Sequence, residues 1–267
     1  MFYSDSLYAV GDIAAKKVAY LRASPWGYFV AAMLAGAYVG VGILLVFAIG
    51  APLAGAHSPW KTTVMGASFA VALSLVVFAG SELFTGNNLV LAIGMWLKRT
   101  TGMDLVRIWA VSWLGNLAGA MLLALLLHYS GIYNNPDGLA LIQQSAGKKM
   151  ELPVVELLIR GALCNWLVCL AVWMTYRMQT EIGKLVMIFW CLYAFIAAGF
   201  EHSVANMTLL TLALLQPHTT AVSWAGLGYN LGWVSLGNAI GGALFVGGAY
   251  WLASTEARKG EALSTTW

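Results

Sequence analysis

Two short polar clusters interrupt apolar stretches of this 267-residue sequence, and both carry groups able to do chemistry. The first reads Gly80-Ser81-Glu82-Leu83-Phe84-Thr85-Gly86-Asn87 and the second Gly199-Phe200-Glu201-His202-Ser203-Val204-Ala205-Asn206-Met207. In each, a glutamate precedes an asparagine by five positions. His202 is the only side chain in either cluster whose charge changes near neutral pH. A lone histidine in an apolar run often does no more than pack, but an ionisable group inside a bilayer is costly enough to read as functional. Each cluster is followed by a short apolar segment, which predicts a half-helix starting at mid-membrane with its free N–H groups and positive dipole end directed inward. That field favours an anion. Thr85, Asn87 and Asn206 are expected to cap these half-helices. Glu82 and Glu201 would repel an anion, so they are expected to be structural supports that accept from backbone N–H groups freed by the breaks.

The elements that must position these clusters follow from composition. With 60% hydrophobic and 9% charged residues, and a mean hydropathy of +0.77, the chain is an all-α integral membrane protein rather than a water-soluble globule. A crossing needs about 20 mainly apolar residues. Six runs qualify: Trp26–Ile49, Thr62–Leu97, Leu105–Tyr129, Pro153–Tyr176, Leu185–Leu215 and Leu231–Ala253. The second and fifth are too long for one helix and contain the two polar clusters, so both are expected to be broken at the midplane.

The halves repeat. Leu114-Gly115-Asn116-Leu117-Ala118-Gly119 in the third run matches Leu236-Gly237-Asn238-Ala239-Ile240-Gly241 in the sixth, and the two Glu-to-Asn clusters match likewise. Three spans per half is an odd number, so the halves cross in opposite senses, the inverted 3+3 repeat common in transport proteins. The glycines of these patterns are read as close helix packing. The polar breaks need more, because unwound backbone at that depth is tolerated only in protein or along a cavity.

Three segments are expected: residues 1–24 as an N-terminal interfacial segment with a weak stripe of Leu7, Val10, Ala14 and Leu21, residues 25–253 as the membrane domain, and residues 254–267 as a short tail. Asp5, Asp12, Lys16, Lys17 and Arg22 in the first 24 residues argue against a cleavable signal. The bias of basic residues, including Lys98, Arg99, Arg107, Arg177, Lys184, Arg258 and Lys259, places both termini in the cytoplasm, with Lys61, Arg160 and a longer loop around Lys148 and Lys149 outside. Cys164, Cys169 and Cys191 lie within spans without metal-ligand spacing to histidine and are read as packing residues, so no metal or cofactor is expected. A net charge of +3 without a long basic run gives no reason to invoke nucleic acid. No soluble segment is long enough for an enzyme fold, and the Asn-Pro-Ala pair of a neutral-solute pore is absent.

The clusters Glu82–Asn87 and Gly199–Met207, with L-G-N-x-x-G at 236–241, resemble the formate/nitrite transporter family over nearly the whole chain. The Gly161–Cys169 run and short termini are most similar to its nitrite-channel branch. The resemblance implies an aquaporin-like protomer, five of which form a homopentamer with one pore each, in a bacterial cytoplasmic (inner) membrane and in contact with lipid. It implies that His202 is the central pore histidine and Thr85 its hydrogen-bond partner, that Phe69, Leu73, Leu83 and Phe195 narrow the pore, that Lys149 stands at its entrance, and that Asn165, Asn206 and Asn238 are polar pore or supporting positions. The implied function is passage of nitrite and related small weak-acid anions, inorganic or carboxylate. Formate or hydrosulfide as substrate, or a proton-coupled secondary transporter, stay open alternatives. The anion's hydration must be replaced in a dry constriction, either by charge stabilisation from His202 and the helix dipoles or by proton exchange at His202.

Overall fold

A computed structural model of the chain describes residues 3–218 and 220–254. The tail expected at 254–267, with Arg258 and Lys259, lies outside the described residues apart from Ser254. The described residues form helices joined by short connections: α1 (Ser4–Ala23), α2 (Pro25–Gly55), α3 (Lys61–Ser68), α4 (Ala70–Ala79), α5 (Phe84–Trp96), α6 (Gly102–Ser130), α7 (Pro136–Glu151), α8 (Val154–Arg177), α9 (Glu181–Ala197), α10 (Ser203–Leu215), α11 (Trp224–Ile240), a π-helical segment Gly241–Gly248, and α12 (Ala249–Ala253). Small polar residues start five of the helices by accepting a first-turn N–H: Ser24 before α2, Thr101 before α6, Asn135 before α7, Thr180 before α9 and Ser223 before α11. At α6 the cap is reciprocal, with Asp104 accepting from the Thr101 N–H.

Among the described residues, five helical stretches are long and apolar enough to cross a bilayer: Pro25–Gly55, Lys61–Ala79, Gly102–Ser130, Val154–Arg177 and Trp224–Ala253. The run expected over Leu185–Leu215 is divided into α9 and α10, and the run over Thr62–Leu97 into α3, α4 and α5. The divisions between α4 and α5 and between α9 and α10 fall at the polar clusters. Gly80 ends α4 at φ +78° and Gly199 follows α9 at φ +74°, left-handed conformations that a β-carbon would strain and that turn the chain out of its helix.

Two tight helix pairs frame the interior. In α2 against α6, a β-carbon on Gly36 would collide with the Asn116 carbonyl and one on Gly119 with the Met33 carbonyl. In α8 against α11 and its π-helical extension, one on Gly237 would collide with the Leu158 carbonyl and one on Gly241 with the Ala162 carbonyl. The glycines of L-G-N-x-x-G therefore permit backbone-to-backbone approach, as expected.

Three features depart from the sequence reading. The residues around Lys148 are helical (α7) rather than a loop, because Leu141, Ile142, Ala146 and Met150 recur at helical spacing and are buried in the main core. In α1 the buried stripe runs Leu7, Val10, Ala14 and Val18, packed with α5 residues such as Leu89 and Ile93, and the expected Leu21 is only partly buried beside it. The last helix begins at Trp224, seven residues before the expected Leu231, and carries a π-helical stretch over Gly241–Gly248.

Candidate functional site

Each break is held by one buried asparagine from a distant helix. In the first, Asn116 Oδ1 accepts from the Phe84 N–H at 2.9 Å, and its Nδ2 donates to the Ala32 carbonyl at 2.8 Å and the Glu82 carbonyl at 2.9 Å. In the second, Asn238 Oδ1 accepts from the Ser203 N–H at 2.9 Å, while its Nδ2 donates to the Gly161 carbonyl at 2.8 Å and the Glu201 carbonyl at 3.0 Å. The Glu82 N–H donates to the Ala31 carbonyl and the Glu201 N–H to the Arg160 carbonyl. Unwound backbone polar groups that a bilayer cannot satisfy are thus satisfied by protein. Thr85, Asn87 and Asn206 do not provide the expected caps. Asn116 and Asn238 serve the first N–H of each half-helix, and His202 is itself the N-cap of α10, its Nδ1 accepting from the Ala205 N–H at 3.1 Å.

That cap assigns the tautomer of His202. A backbone N–H can only donate, so Nδ1 is the acceptor and the neutral ring carries its hydrogen on Nε2. Nε2 lies 3.1 Å from Thr85 Oγ1, which joins the two breaks directly. Both residues are buried. The Thr85 carbonyl is in turn held from α8, by Asn165 Nδ2 at 3.1 Å and Cys169 Sγ at 3.3 Å, and the same Asn165 nitrogen lies 2.7 Å from the Asn238 carbonyl and 3.0 Å from Asn88 Oδ1. Asn165 therefore ties the Thr85 segment to the helix that holds the His202 segment.

The two glutamates do not accept from backbone N–H groups as expected. Each accepts from a lysine and from the asparagine five positions on. Glu82 Oε2 receives Lys17 Nζ at 2.6 Å, the Tyr28 hydroxyl at 2.7 Å and Asn87 Nδ2 at 3.2 Å. Glu201 receives Lys149 Nζ at 2.7 Å on Oε1 and Asn206 Nδ2 at 2.7 Å on Oε2. Asn206 also donates to Asn230 Oδ1, and Asn230 donates to the Lys149 carbonyl, which fixes the end of α7 against α11. The side chains of these pairs are largely shielded from solvent, and a desolvated charge pair persists only when its remaining donors and acceptors are satisfied.

Three cavities run through this framework. One of about 410 Å³ is lined by Lys149, Glu201, Asn206, Phe195 and His202 among others. One of about 420 Å³ is lined by Lys17, Glu82, Asn87, Leu73 and Leu83 among others. Between them lies a void of about 10 Å³ lined by Phe69, Leu73, Leu83, Phe195 and His202, with Val39, Ala72, Val168 and Leu192 completing its wall. Phe195 and His202 are shared by the first cavity and the void, Leu73 and Leu83 by the second cavity and the void. The Phe69 and Phe195 rings meet edge to face at 5.6 Å, and the Phe195 ring lies at 5.9 Å from the His202 ring in a nearly parallel orientation. Two vestibules lined in part by polar side chains are thus separated by an apolar neck just large enough for a water molecule, with one imidazole in its wall.

The expected residues divide by position. Phe69, Leu73, Leu83, Phe195 and His202 meet at the neck, and Lys149, Glu201 and Asn206 line one vestibule while Glu82 lines the other. Thr85, Asn165 and Asn238 are fully buried and line none of the three cavities. Sequence reasoning missed Lys17, Tyr28, Asn116 and Asn230. Asn116 was recoverable, since it occupies the position of Asn238 in the repeated L-G-N-x-x-G pattern. The other three carry no local signal.

An all-helical chain with several membrane-length apolar helices and two vestibules meeting at a buried neck is a multi-pass membrane protein of the transport class. The sequence matches the formate/nitrite transporter family over residues 5–252. It is 43% identical over 249 residues to the nitrite transporter NirC of Escherichia coli (strain K12), spanning 92% of this chain and 90% of that one. A solved FNT family ion channel superposes with a TM-score of 0.90 at 42% identity, covering 94% of this chain and 99% of that chain. A solved pentameric formate channel with formate bound superposes with a TM-score of 0.77 at 27% identity, covering 87% and 98% respectively. This chain belongs to the formate/nitrite transporter family, and is a transport protein rather than an enzyme.

Proposed function

We propose that the chain is a channel for nitrite and related small monovalent weak-acid anions, working as a homopentamer with one pore per protomer in the bacterial inner membrane. The observation that carries this reading is the neck: both vestibules end on it, and its wall holds the His202 ring whose Nε2–H is turned toward Thr85. An anion arriving there replaces Thr85 as acceptor of that hydrogen. That donor and the positive dipole ends of α5 and α10 stand in for lost hydration. Complete transfer of the Nε2 proton would need a second proton on Nδ1, which the Ala205 N–H occupies as donor. The geometry therefore favours hydrogen-bond donation to the anion over delivery of a neutral acid by the ring alone.

The finer architecture belongs to the same proposal. Residues 25–253 form six spans in an inverted 3+3 repeat with spans two and five broken and an aquaporin-like protomer, residues 1–24 and 254–267 flank it, and both termini are cytoplasmic. The matching Asn116 and Asn238 scaffolds and the matching Lys–Glu–Asn triads support the repeat. The pentameric formate channel that superposes on the chain supports the assembly, which native mass spectrometry in mild detergent tests. Purified protein in liposomes, assayed in parallel with nitrite, formate, acetate, lactate and chloride, tests the substrate class. Fast flux of nitrite and formate with slow acetate and lactate is the expected pattern, and chloride flux equal to nitrite flux would overturn it.

A further inference from the structure

The vestibule bearing Lys149 adjoins a second concavity that the pore described above does not use. This outer cavity, of about 290 Å³, is lined by Lys61, Thr62, Met65, Gln144, Ser145 and Lys148, with Leu141 and Ile196 closing its sides. Met65, Ser145, Lys148 and Ile196 also line the 410 Å³ vestibule, so the two spaces share a wall and Lys148 stands at their junction. Among the described residues, ion pairs engage Lys17, Arg22, Arg99, Lys149, Arg160 and Lys184, and neither Lys61 nor Lys148 takes part in one. Among the described residues, no carboxylate lines the outer cavity. The opposite vestibule differs: the one cation among the described residues lining it, Lys17, is bonded to Glu82.

We infer that Lys61 and Lys148 form a collecting site for small hydrated monovalent anions at one mouth only, upstream of Lys149 and His202. The chemistry follows from what is present. Two uncompensated ammonium groups across one concavity raise the local anion concentration, and the Ser145, Thr62 and Gln144 side chains accommodate a ligand that keeps its water. Lys149 cannot do this alone, since Glu201 neutralises it. The site makes the two mouths unequal, so anions are captured faster from the Lys148 side at low ionic strength. As a step toward transport the inference rests on the proposed channel function, whereas the electrostatic site does not.

The test uses the full chain and two readouts. Cys164, Cys169 and Cys191 are buried, so a Lys148→Cys variant presents one accessible thiol among the described residues. Its rate of reaction is measured with a negatively charged sulfonatoethyl and a positively charged trimethylammonium-ethyl methanethiosulfonate, with and without Lys61→Ala. The anionic reagent should be the faster, and loss of Lys61 should slow it about threefold at low ionic strength, the effect of one charge several ångströms away in water. That difference should vanish in about 0.5 M salt, where screening is complete within a few ångströms. Equal rates for the two reagents, or a ratio indifferent to Lys61, would overturn the site. In liposomes, Lys61→Ala and Lys148→Ala should raise the half-saturating nitrite concentration several-fold at low salt without changing the maximal rate, and Lys148→Arg should restore it. A reduced maximal rate that persists at high salt would assign the lysines a structural role instead. Wild-type protein that carries no nitrite would defeat the proposed function while leaving the reagent readout to decide the site.

Discussion

Replacing His202 separates two tasks that one ring performs. As N-cap of α10 it accepts from the Ala205 N–H at 3.1 Å through Nδ1, and as the polar face of the neck it offers Nε2–H, now 3.1 Å from Thr85 Oγ1. Phenylalanine fills much of the same volume but does neither. His202→Phe leaves the Ala205 N–H and the Thr85 hydroxyl without their partners at buried positions, a cost of about 1–3 kcal/mol for the cap and about 1 kcal/mol for the second bond. Asparagine keeps an oxygen able to cap α10, so His202→Asn should cost about 1 kcal/mol at most. The stability cost is read from thermal unfolding of the purified protein in detergent, and nitrite flux by stopped-flow in proteoliposomes. Phe should unfold at a clearly lower temperature than Asn, yet assemble, because Asn238 still holds the Ser203 N–H. Both should lose most nitrite flux, since Phe offers no donor and the shorter Asn, capping α10 through its oxygen, does not replace the ring Nε2–H at the neck. Wild-type flux in the Asn variant would refute the assignment of transport chemistry to the imidazole. Equal stability of the two variants would refute the assignment of the cap.

Further outcomes follow from the same geometry. Asn238→Ala removes three buried hydrogen bonds at once and should destabilise the protein by about 3–5 kcal/mol, more than Asn206→Ala, as measured by thermal or denaturant unfolding. Thr85→Val leaves the shape of the neck but strips the partner of Nε2–H, so nitrite flux should fall about tenfold or more, with Thr85→Ser retaining most of it in the same liposome assay. Leu83→Ala opens the neck on the Glu82 side and should admit acetate and lactate; unchanged selectivity in parallel flux assays would show that Leu83 does not set the aperture. Gly36→Val drives a side chain into the Asn116 carbonyl and should abolish assembly on size-exclusion chromatography, because backbone cannot move aside as a flexible side chain can.

Much of this protein is legible in the order of its residues, and the reason is that the bilayer imposes local rules. Apolar runs of fixed minimum length, the glutamate-to-asparagine clusters that interrupt two of them, and the glycines of L-G-N-x-x-G are each readable without knowing any neighbour, and helices, breaks and close helix pairs stand where those signals are. His202 was conspicuous for the same reason, as a titratable group where none is cheap. What only the tertiary structure decided is which polar group answers which. Lys17 meets Glu82 across 65 positions, Tyr28 meets it across 54, and Asn116 reaches the Phe84 N–H across 32. A buried donor or acceptor must find a partner, but the demand names no residue; helix packing brings one within reach, and hydropathy carries no trace of that choice. The glutamates were therefore read as partners of nearby backbone, when packing had already assigned that backbone to asparagines on other helices and left the carboxylates to the lysines.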